Sequence, residues 1–260
     1  MTGGTSISDK VLREMKIISD QKGIIDRYIS EAGGWEEHLG KTRNFILESV
    51  TAARPRSILI CGSGWLLDVP LEELAEITPE IWLADIYHPP QVRNKIRKMT
   101  GCRLLQVDLT GGAVMAAYAF VKDYGKSGIR KPLSSISVSV PVLPLKPQYI
   151  ISVNILNQMD ILLADYLKKY ITTGKEELAD FRRRIQQNHL AHLASCKSCI
   201  ITDAEEIIIN KKGLETDRRN LLYASLPEGS RYDSWIWKFD SSGSYNKGMI
   251  THLLVKAVAS

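Results

Sequence analysis

Short apolar runs alternate with amphipathic segments through most of this chain. Five runs are rich in isoleucine, valine and leucine, which predicts buried strands; they are 57–61, 81–85, 103–107, 149–153 and 198–202. Apolar residues recur at helical spacing between and after them, over 66–77, 91–99, 113–124, 158–170 and 175–195. Strands that alternate with helices predict a parallel sheet with helices on both faces.

Both ends of the chain add to this alternation. Helical spacing over 6–31 and 35–50 predicts an N-terminal helical extension, broken by glycines 33 and 34. Residues 234–239 and 248–255 predict a terminal hairpin. The segment 125–148, rich in proline and serine, reads as a long connection with room for an edge strand at 136–140.

These elements predict one α/β unit with a Rossmann-like, seven-stranded, mostly parallel sheet that ends in an antiparallel hairpin. Residues 53–260 would form the sheet domain, and 1–52 would extend it and close part of its pocket.

Composition narrows the class of protein. The chain has 260 residues, of which 44% are hydrophobic and 24% charged, so it can bury a core. A net charge of +5 with dispersed basic residues gives no strong signal for nucleic acid. The polar start is unlike a signal peptide, and no apolar run reaches the ~18–20 residues of a membrane span. We therefore expect a cytoplasmic protein without a membrane partner; a homodimer stays open.

The cysteines and histidines do not form a metal pattern. Cys196 and Cys199 have Cys-x-x-Cys spacing, but a second pair is missing and an apolar strand follows. His189 and His192 share a helix face without a carboxylate pattern beside them. We therefore predict no metal site.

A glycine turn and a carboxylate follow the first two strands. Gly62-x-Gly64 ends the first strand, and Asp85 ends the second. In a Rossmann-type sheet the glycines let the backbone approach an adenosine, and the acid accepts hydrogen bonds from ribose hydroxyls. The spacing from Gly62 to Asp85 is close to the ~20 residues of that unit.

Three longer motifs carry a family resemblance. They are Gly62-Ser-Gly-Trp-Leu-Leu-Asp-Val-Pro-Leu71, Asp108-Leu-Thr-Gly111 and Ser152-Val-Asn-Ile-Leu-Asn-Gln-Met159. Over residues 55–258 the chain resembles the class I S-adenosylmethionine-dependent methyltransferases, and more narrowly a bacterial group of methyltransferase-like proteins. The resemblance implies S-adenosylmethionine as cofactor and methyl transfer to an unidentified acceptor, most simply a small molecule.

The resemblance also implies roles for individual residues. Asp85 would bind the ribose, Asp108 and Leu109 the adenine, Asp68 the methionine ammonium and Arg43 the methionine carboxylate. The full predicted cofactor set is Arg43, Gly62, Ser63, Gly64, Asp68, Asp85, Ile86, Asp108, Leu109 and Asn154. Asn157 and His38 are predicted to face the acceptor. No residue stands out as a general base, so no catalytic residue is assigned.

Other readings of these residues stay open. The glycines suit an ordinary turn, and Asp68, Asp85 and Asp108 suit helix starts. Ile60 and Leu66 replace an acid and a third glycine of the family pattern. These departures leave open a degenerate methyltransferase-fold protein that acts by binding. A nicotinamide-dependent oxidoreductase is disfavoured by the missing third glycine and by the terminal hairpin.

Overall fold

The strands form one mixed sheet. In the computed structural model, which describes residues 7–31 and 33–260, this sheet has eight strands. They are β1 (Ser57–Cys61), β2 (Glu80–Asp85), β3 (Cys102–Gln106), β4 (Tyr149–Val153), β5 (Lys197–Ile209), β6 (Glu215–Asn220), β7 (Arg231–Asp240) and β8 (Ile250–Ala259).

The strand order is β3-β2-β1-β4-β5-β8-β7, with β6 paired to β5 off this path. Neighbours from β3 to β5 run parallel. The pairs β5–β8 and β7–β8 run antiparallel. The predicted Rossmann-like fold with an antiparallel terminal hairpin is therefore confirmed, and its sheet has eight strands rather than seven.

Helices cover both faces of this sheet. They are α1 (Asp9–Glu14), α2 (Ile17–Ser30), α3 (Glu36–Ala53), α4 (Leu71–Ile77), α5 (Pro90–Ile96), α6 (Ala113–Ser127), α7 (Gln158–Tyr170) and α8 (Lys175–Leu193). The single helix predicted over 6–31 is two helices, because Lys16 takes a left-handed φ of 64° between them. No helix in the described ranges is long and apolar enough to cross a membrane.

Alternation along the central strands explains the two cores. Ile58 and Ile60 of β1 belong to the cluster under α3, α4 and α5, whereas Leu59 and Cys61 belong to the cluster under α1, α6, α7 and α8. Successive side chains of a strand point to opposite faces, so one apolar run fills both cores.

Strand β5 continues well beyond its predicted end at residue 202. Its register with β8 shifts between Asp203 and Glu205, and the strand then runs on to Ile209. Beyond the end of β4, its second half pairs with β6. Strand β6 could not be predicted from the sequence, because every one of its side chains is exposed and it has no apolar alternation.

The predicted edge strand at 136–140 does not form. That stretch follows a 3₁₀ turn at Leu133–Ser135 and is irregular. Ser139 donates its backbone N–H to the Gly111 carbonyl at 3.3 Å, so the connection packs against the loop after β3 instead of joining the sheet.

Candidate functional site

A cavity of about 760 Å³ lies at the carboxyl ends of β1 to β4. Ligands of open α/β sheets bind at this end of the strands, where the loops diverge. Residues of α2, α3 and α7 also line the cavity, and we call the part lined by β5, β7 and β8 its far end. The chain before residue 53 thus contributes lining residues; its action as a lid remains a prediction.

The glycine turn is held tightly between strand ends. Gly62 has a φ of 87° and donates its N–H to Ala84 at 3.0 Å. A Cβ there would fall 2.9 Å from the Ile155 Cβ and closer still to the Val153 carbonyl oxygen. The close contact at Gly62 is therefore with the exit of β4, and both Gly62 and Gly64 line the cavity.

Ser63 points away from the cavity. Its hydroxyl lies 2.9 Å from His88 Nε2, both side chains are buried, and neither lines the cavity. The structure therefore does not bring the Ser63 side chain to the predicted cofactor site, because the buried histidine needs its hydroxyl.

Asp85 joins the glycine turn to the tip of β2. Its carboxylate accepts a hydrogen bond from the Gly64 N–H at 2.8 Å and from the Tyr87 N–H at 3.3 Å. Burial raises its pKa to about 6. Helix α5 begins only at Pro90, so Asp85 does not cap it. Each carboxylate oxygen has two acceptor sites, so Asp85 can still accept a ligand hydroxyl beside Ile86, which also lines the cavity.

Asp108 presents a free oxygen at the tip of β3. Its Oδ1 accepts bonds from the Thr110 N–H at 2.8 Å and from the Thr110 hydroxyl at 2.5 Å. Its Oδ2 is buried and has no partner. The α6 start is served by Thr110 Oγ1, which accepts from the Val114 N–H at 3.3 Å. Burial raises the pKa of Asp108, and the Thr110 hydrogen bonds and the nearby N–H groups of Val114 and Gly112 oppose that rise. Asp108 thus orients the turn, and it lines the cavity beside buried Leu109.

A buried polar cluster follows the exit of β4. Asn154, with a φ of 48°, donates its amide N–H to Asp68 Oδ2 at 2.7 Å. Its Oδ1 is buried without a partner. Burial raises the pKa of Asp68, although the hydrogen bond from Asn154 opposes that rise. Asp68 and Asn154, both in the predicted cofactor set, therefore contact each other and line the cavity.

His38 lines the same cavity, and its ring is held by neighbouring side chains. Its Nδ1 accepts from Trp235 Nε1 at 3.1 Å, and its ring stacks on Trp237 at 3.8 Å between centroids. Its Nε2 lies 3.4 Å from Asn154 Nδ2. Burial lowers the pKa of His38 to about 3, so the imidazole is neutral and a weak base.

Arg43 does not reach the cavity. Its guanidinium donates to the Leu67 carbonyl oxygen, behind the glycine turn. Arg27 of α2 lines the cavity in its place, and its guanidinium lies 4.8 Å from the ring centroids of both Phe239 and Tyr245. Its Nε is buried without a partner.

Asp203 is a lining residue that the sequence analysis did not assign. It is 3% exposed, and its Oδ1 has no partner. Burial raises its pKa to about 7; the Asn157 amide lowers it and the Asp68 carboxylate raises it further. Asn157 is also buried, with an unpartnered Oδ1. The available signal was the position of Asp203 at the end of a predicted strand.

The described residues contain no group of three or more histidines, cysteines or acids placed to hold a metal ion. The cavity instead combines two acidic strand tips with a polar cluster and aromatic side chains. Such a site suits an organic ligand that carries hydroxyl and amino donors.

No protein-family model and no curated protein matches this chain. Solved structures do match it. The 1,6-didemethyltoxoflavin-N1-methyltransferase of Burkholderia thailandensis, with bound 1,6-didemethyltoxoflavin and S-adenosylhomocysteine, is 13% identical, covers 96% of this chain and 88% of its own, and has a TM-score of 0.43. The N-methyltransferase NodS from Bradyrhizobium japonicum WM9, with S-adenosylhomocysteine, is 9% identical. The match covers 85% of this chain and 86% of NodS, with a TM-score of 0.40. Sequence identities and TM-scores this low do not assign a function to this chain. The fold is therefore described by the strand order given above, and the site by the contacts within its cavity.

Proposed function

We propose that this protein binds S-adenosylmethionine and transfers its methyl group to a small-molecule acceptor. The observation that carries this proposal is the free, buried Oδ2 of Asp108, which shares one cavity with Asp85 and Gly64. An adenosine offers a ring amino donor and two ribose hydroxyl donors. The two carboxylates stand at adjacent strand tips, where those donors would lie.

The residues present fit the whole cofactor. Asp85 would accept the ribose hydroxyls, and Asp108 and Leu109 would contact the adenine. Asp68, supported by Asn154, would bind the methionine ammonium. Arg27 lines the cavity with an unpartnered Nε, so we assign the methionine carboxylate to it rather than to Arg43.

The bound cofactor supplies a methyl group on a positively charged sulfur. The protein's own work is to position this group and the acceptor in line and to exclude water. The cavity lies under α2, where the Gln21 carbonyl accepts from Trp65 Nε1 at 2.7 Å and ties that helix to the glycine turn. This arrangement supports a cofactor covered by the N-terminal helices.

Replacing one hydrogen-bond acceptor of Asp108 with a donor tests the placement of the adenine beside this residue. In Asp108→Asn, one side-chain oxygen can still accept from Thr110, but an NH₂ group replaces the free oxygen. We expect the variant to bind S-adenosylhomocysteine at least about tenfold more weakly, because two donors would then face each other. S-inosylhomocysteine carries a carbonyl in place of the adenine amino group, so it should lose nothing or gain.

Calorimetry of both ligands on both proteins gives the answer. A reversal or collapse of the ligand preference in the variant supports adenine at Asp108. An equal loss for both ligands would indicate general damage to the loop and contradict the assignment. If the wild-type protein binds neither ligand, the proposed function is wrong.

A further inference from the structure

In the antiparallel half of the sheet, Asp203 lies on the face that lines the cavity, as its strand register shows. Directly opposite residues of antiparallel strands share a face. Asp203 pairs with Val255, which pairs with Trp235. The register shift after Asp203 puts Glu206 on the same face, opposite Leu253. Two acids of β5 therefore face the far end of the cavity.

These two acids, Asp203 and Glu206, differ in their hydrogen-bond partners. Glu206 accepts from Asn246 Nδ2 at 2.9 Å and from Arg219 Nη1 at 3.2 Å. Asp203 Oδ1 and the neighbouring Asn157 Oδ1 are buried with no partner. Buried acceptors without donors are costly, so a site that keeps them is built for a ligand that donates.

The charged side chains that line the cavity determine which charge a ligand at Asp203 can carry. Among the cations that line the cavity, Arg219 is paired with Glu206, Arg182 with Asp160 and Lys168 with Asp165. Arg27 is assigned above to the cofactor carboxylate, and Asp68 to the cofactor ammonium. Of the lining acids that form no salt bridge among the described residues, Asp68, Asp85 and Asp108 are assigned above to the cofactor and Asp20 is exposed. Asp203 is the remaining buried one.

We propose that the methyl acceptor is a small-molecule amine whose nitrogen lies against Asp203 and Asn157, an inference that rests on the proposed methyl transfer. An amine can supply two or three N–H donors to the unpartnered oxygens of Asp203 and Asn157, whereas an alcohol supplies one donor. A carboxylate or phosphate would face an uncompensated anion. The apolar part of the acceptor would pack on Leu253 and Trp237, which line this end of the cavity.

The chemistry balances with the groups at hand. An amine reacts through its lone pair, so the nitrogen must be neutral when it attacks. The new N–C bond forms as the S–C bond breaks, and the electron pair of that bond stays on sulfur as a neutral thioether. The proton lost from nitrogen passes to the Asp203 carboxylate and then to solvent.

The test compares matched amines and alcohols. Calorimetry at pH 8 would use butylamine and butanol, 2-phenylethylamine and 2-phenylethanol, and tryptamine and tryptophol, each with and without saturating S-adenosylhomocysteine. We expect at least one amine to bind at least about tenfold more tightly than its alcohol. We expect Asp203→Asn to remove that preference while the affinity for S-adenosylhomocysteine changes less than about twofold.

Glu206→Gln is the matched control, because it neutralises a paired acid on the same strand and face; it should retain the amine preference. Asp203→Asn keeps the side-chain shape, and its thermal unfolding checks that it folds. The inference is overturned if no amine binds, if the alcohols bind as well, or if Asp203→Asn keeps the preference. An amine preference that depends on Asp203 without any binding of S-adenosylhomocysteine would instead refute the cofactor and keep the amine site.

Discussion

Asp203→Asn should make the folded protein more stable at pH 8. Burial raises the pKa of Asp203 from 3.8 to about 7, so the folded state resists its ionisation. A pKa rise of that size corresponds to about 4 kcal/mol, since one unit is about 1.36 kcal/mol. Asparagine has nearly the same shape and carries no charge, so it avoids this cost. We expect a gain between about 1 and 4 kcal/mol.

The sign of the pH dependence follows from the same shift. Between pH values of about 4 and 7 the folded state holds a proton on Asp203 that the unfolded chain has lost. The contribution of Asp203 to the free energy of unfolding therefore falls as pH rises through this window. The difference between Asp203→Asn and wild type should be small near pH 4.5 and largest at pH 8. Asp85 and Asp160, whose pKa values burial also raises to about 6, are present in both proteins and cancel.

Urea unfolding at several pH values measures this difference directly. Glu206→Gln is the control: its carboxylate accepts bonds from Asn246 and Arg219, so its loss should destabilise the protein or leave it unchanged. A variant Asp203→Asn that is less stable than wild type at pH 8 would refute the reasoning. So would a stability difference that does not change with pH.

Three further predictions concern packing and charge. Leu66 has a φ of 59°, so Leu66→Gly should be less destabilising than Leu66→Ala by about 1 kcal/mol in urea unfolding, the reverse of the usual order. Gly62→Ala should cost more than about 3 kcal/mol, because its Cβ meets main chain, while Gly112→Ala, in open space at a φ of 94°, should cost about 1; similar costs would contradict this packing. Arg182→Ala should cost about 3 kcal/mol at pH 8, because it leaves Asp160 buried and unpaired. Since burial raises the pKa of Asp160 to about 6, that cost should be smaller at pH 5, and an equal cost would count against the ion pair.

Local apolar runs were enough to predict the parallel half of the sheet. The central strands β1, β2 and β4 are short, largely buried and bounded by turn residues, so their apolar runs are visible in the sequence. The strand tips followed from that prediction, and with them the positions of Asp85 and Asp108. Parallel strands bring their carboxyl ends to one edge, so these acids share a cavity for reasons that the sequence contains.

Contacts between segments that are far apart in the sequence could not be predicted from local apolar runs. Strand β6 is polar and exposed along its length, and it exists because β5 continues past β4 and offers a free edge. The burial of Asp203 depends on that same continuation. Arg43 was predicted to meet a ligand, but the loop carbonyl of Leu67 lies within its reach and takes its hydrogen bond. Such competition is decided by tertiary geometry, which spacing along the chain does not encode.

Calorimetric titration of the wild-type protein and of Asp85→Ala with S-adenosylmethionine tests whether this cavity binds the cofactor through Asp85. We predict wild-type binding at about micromolar Kd, near −8 kcal/mol, and a loss of at least about tenfold in the variant. A thermal unfolding scan of Asp85→Ala separates lost binding from lost folding, since the variant also loses the acceptor for the Gly64 N–H. Absence of binding to the wild-type protein, or equal affinity in a folded Asp85→Ala, would contradict the account.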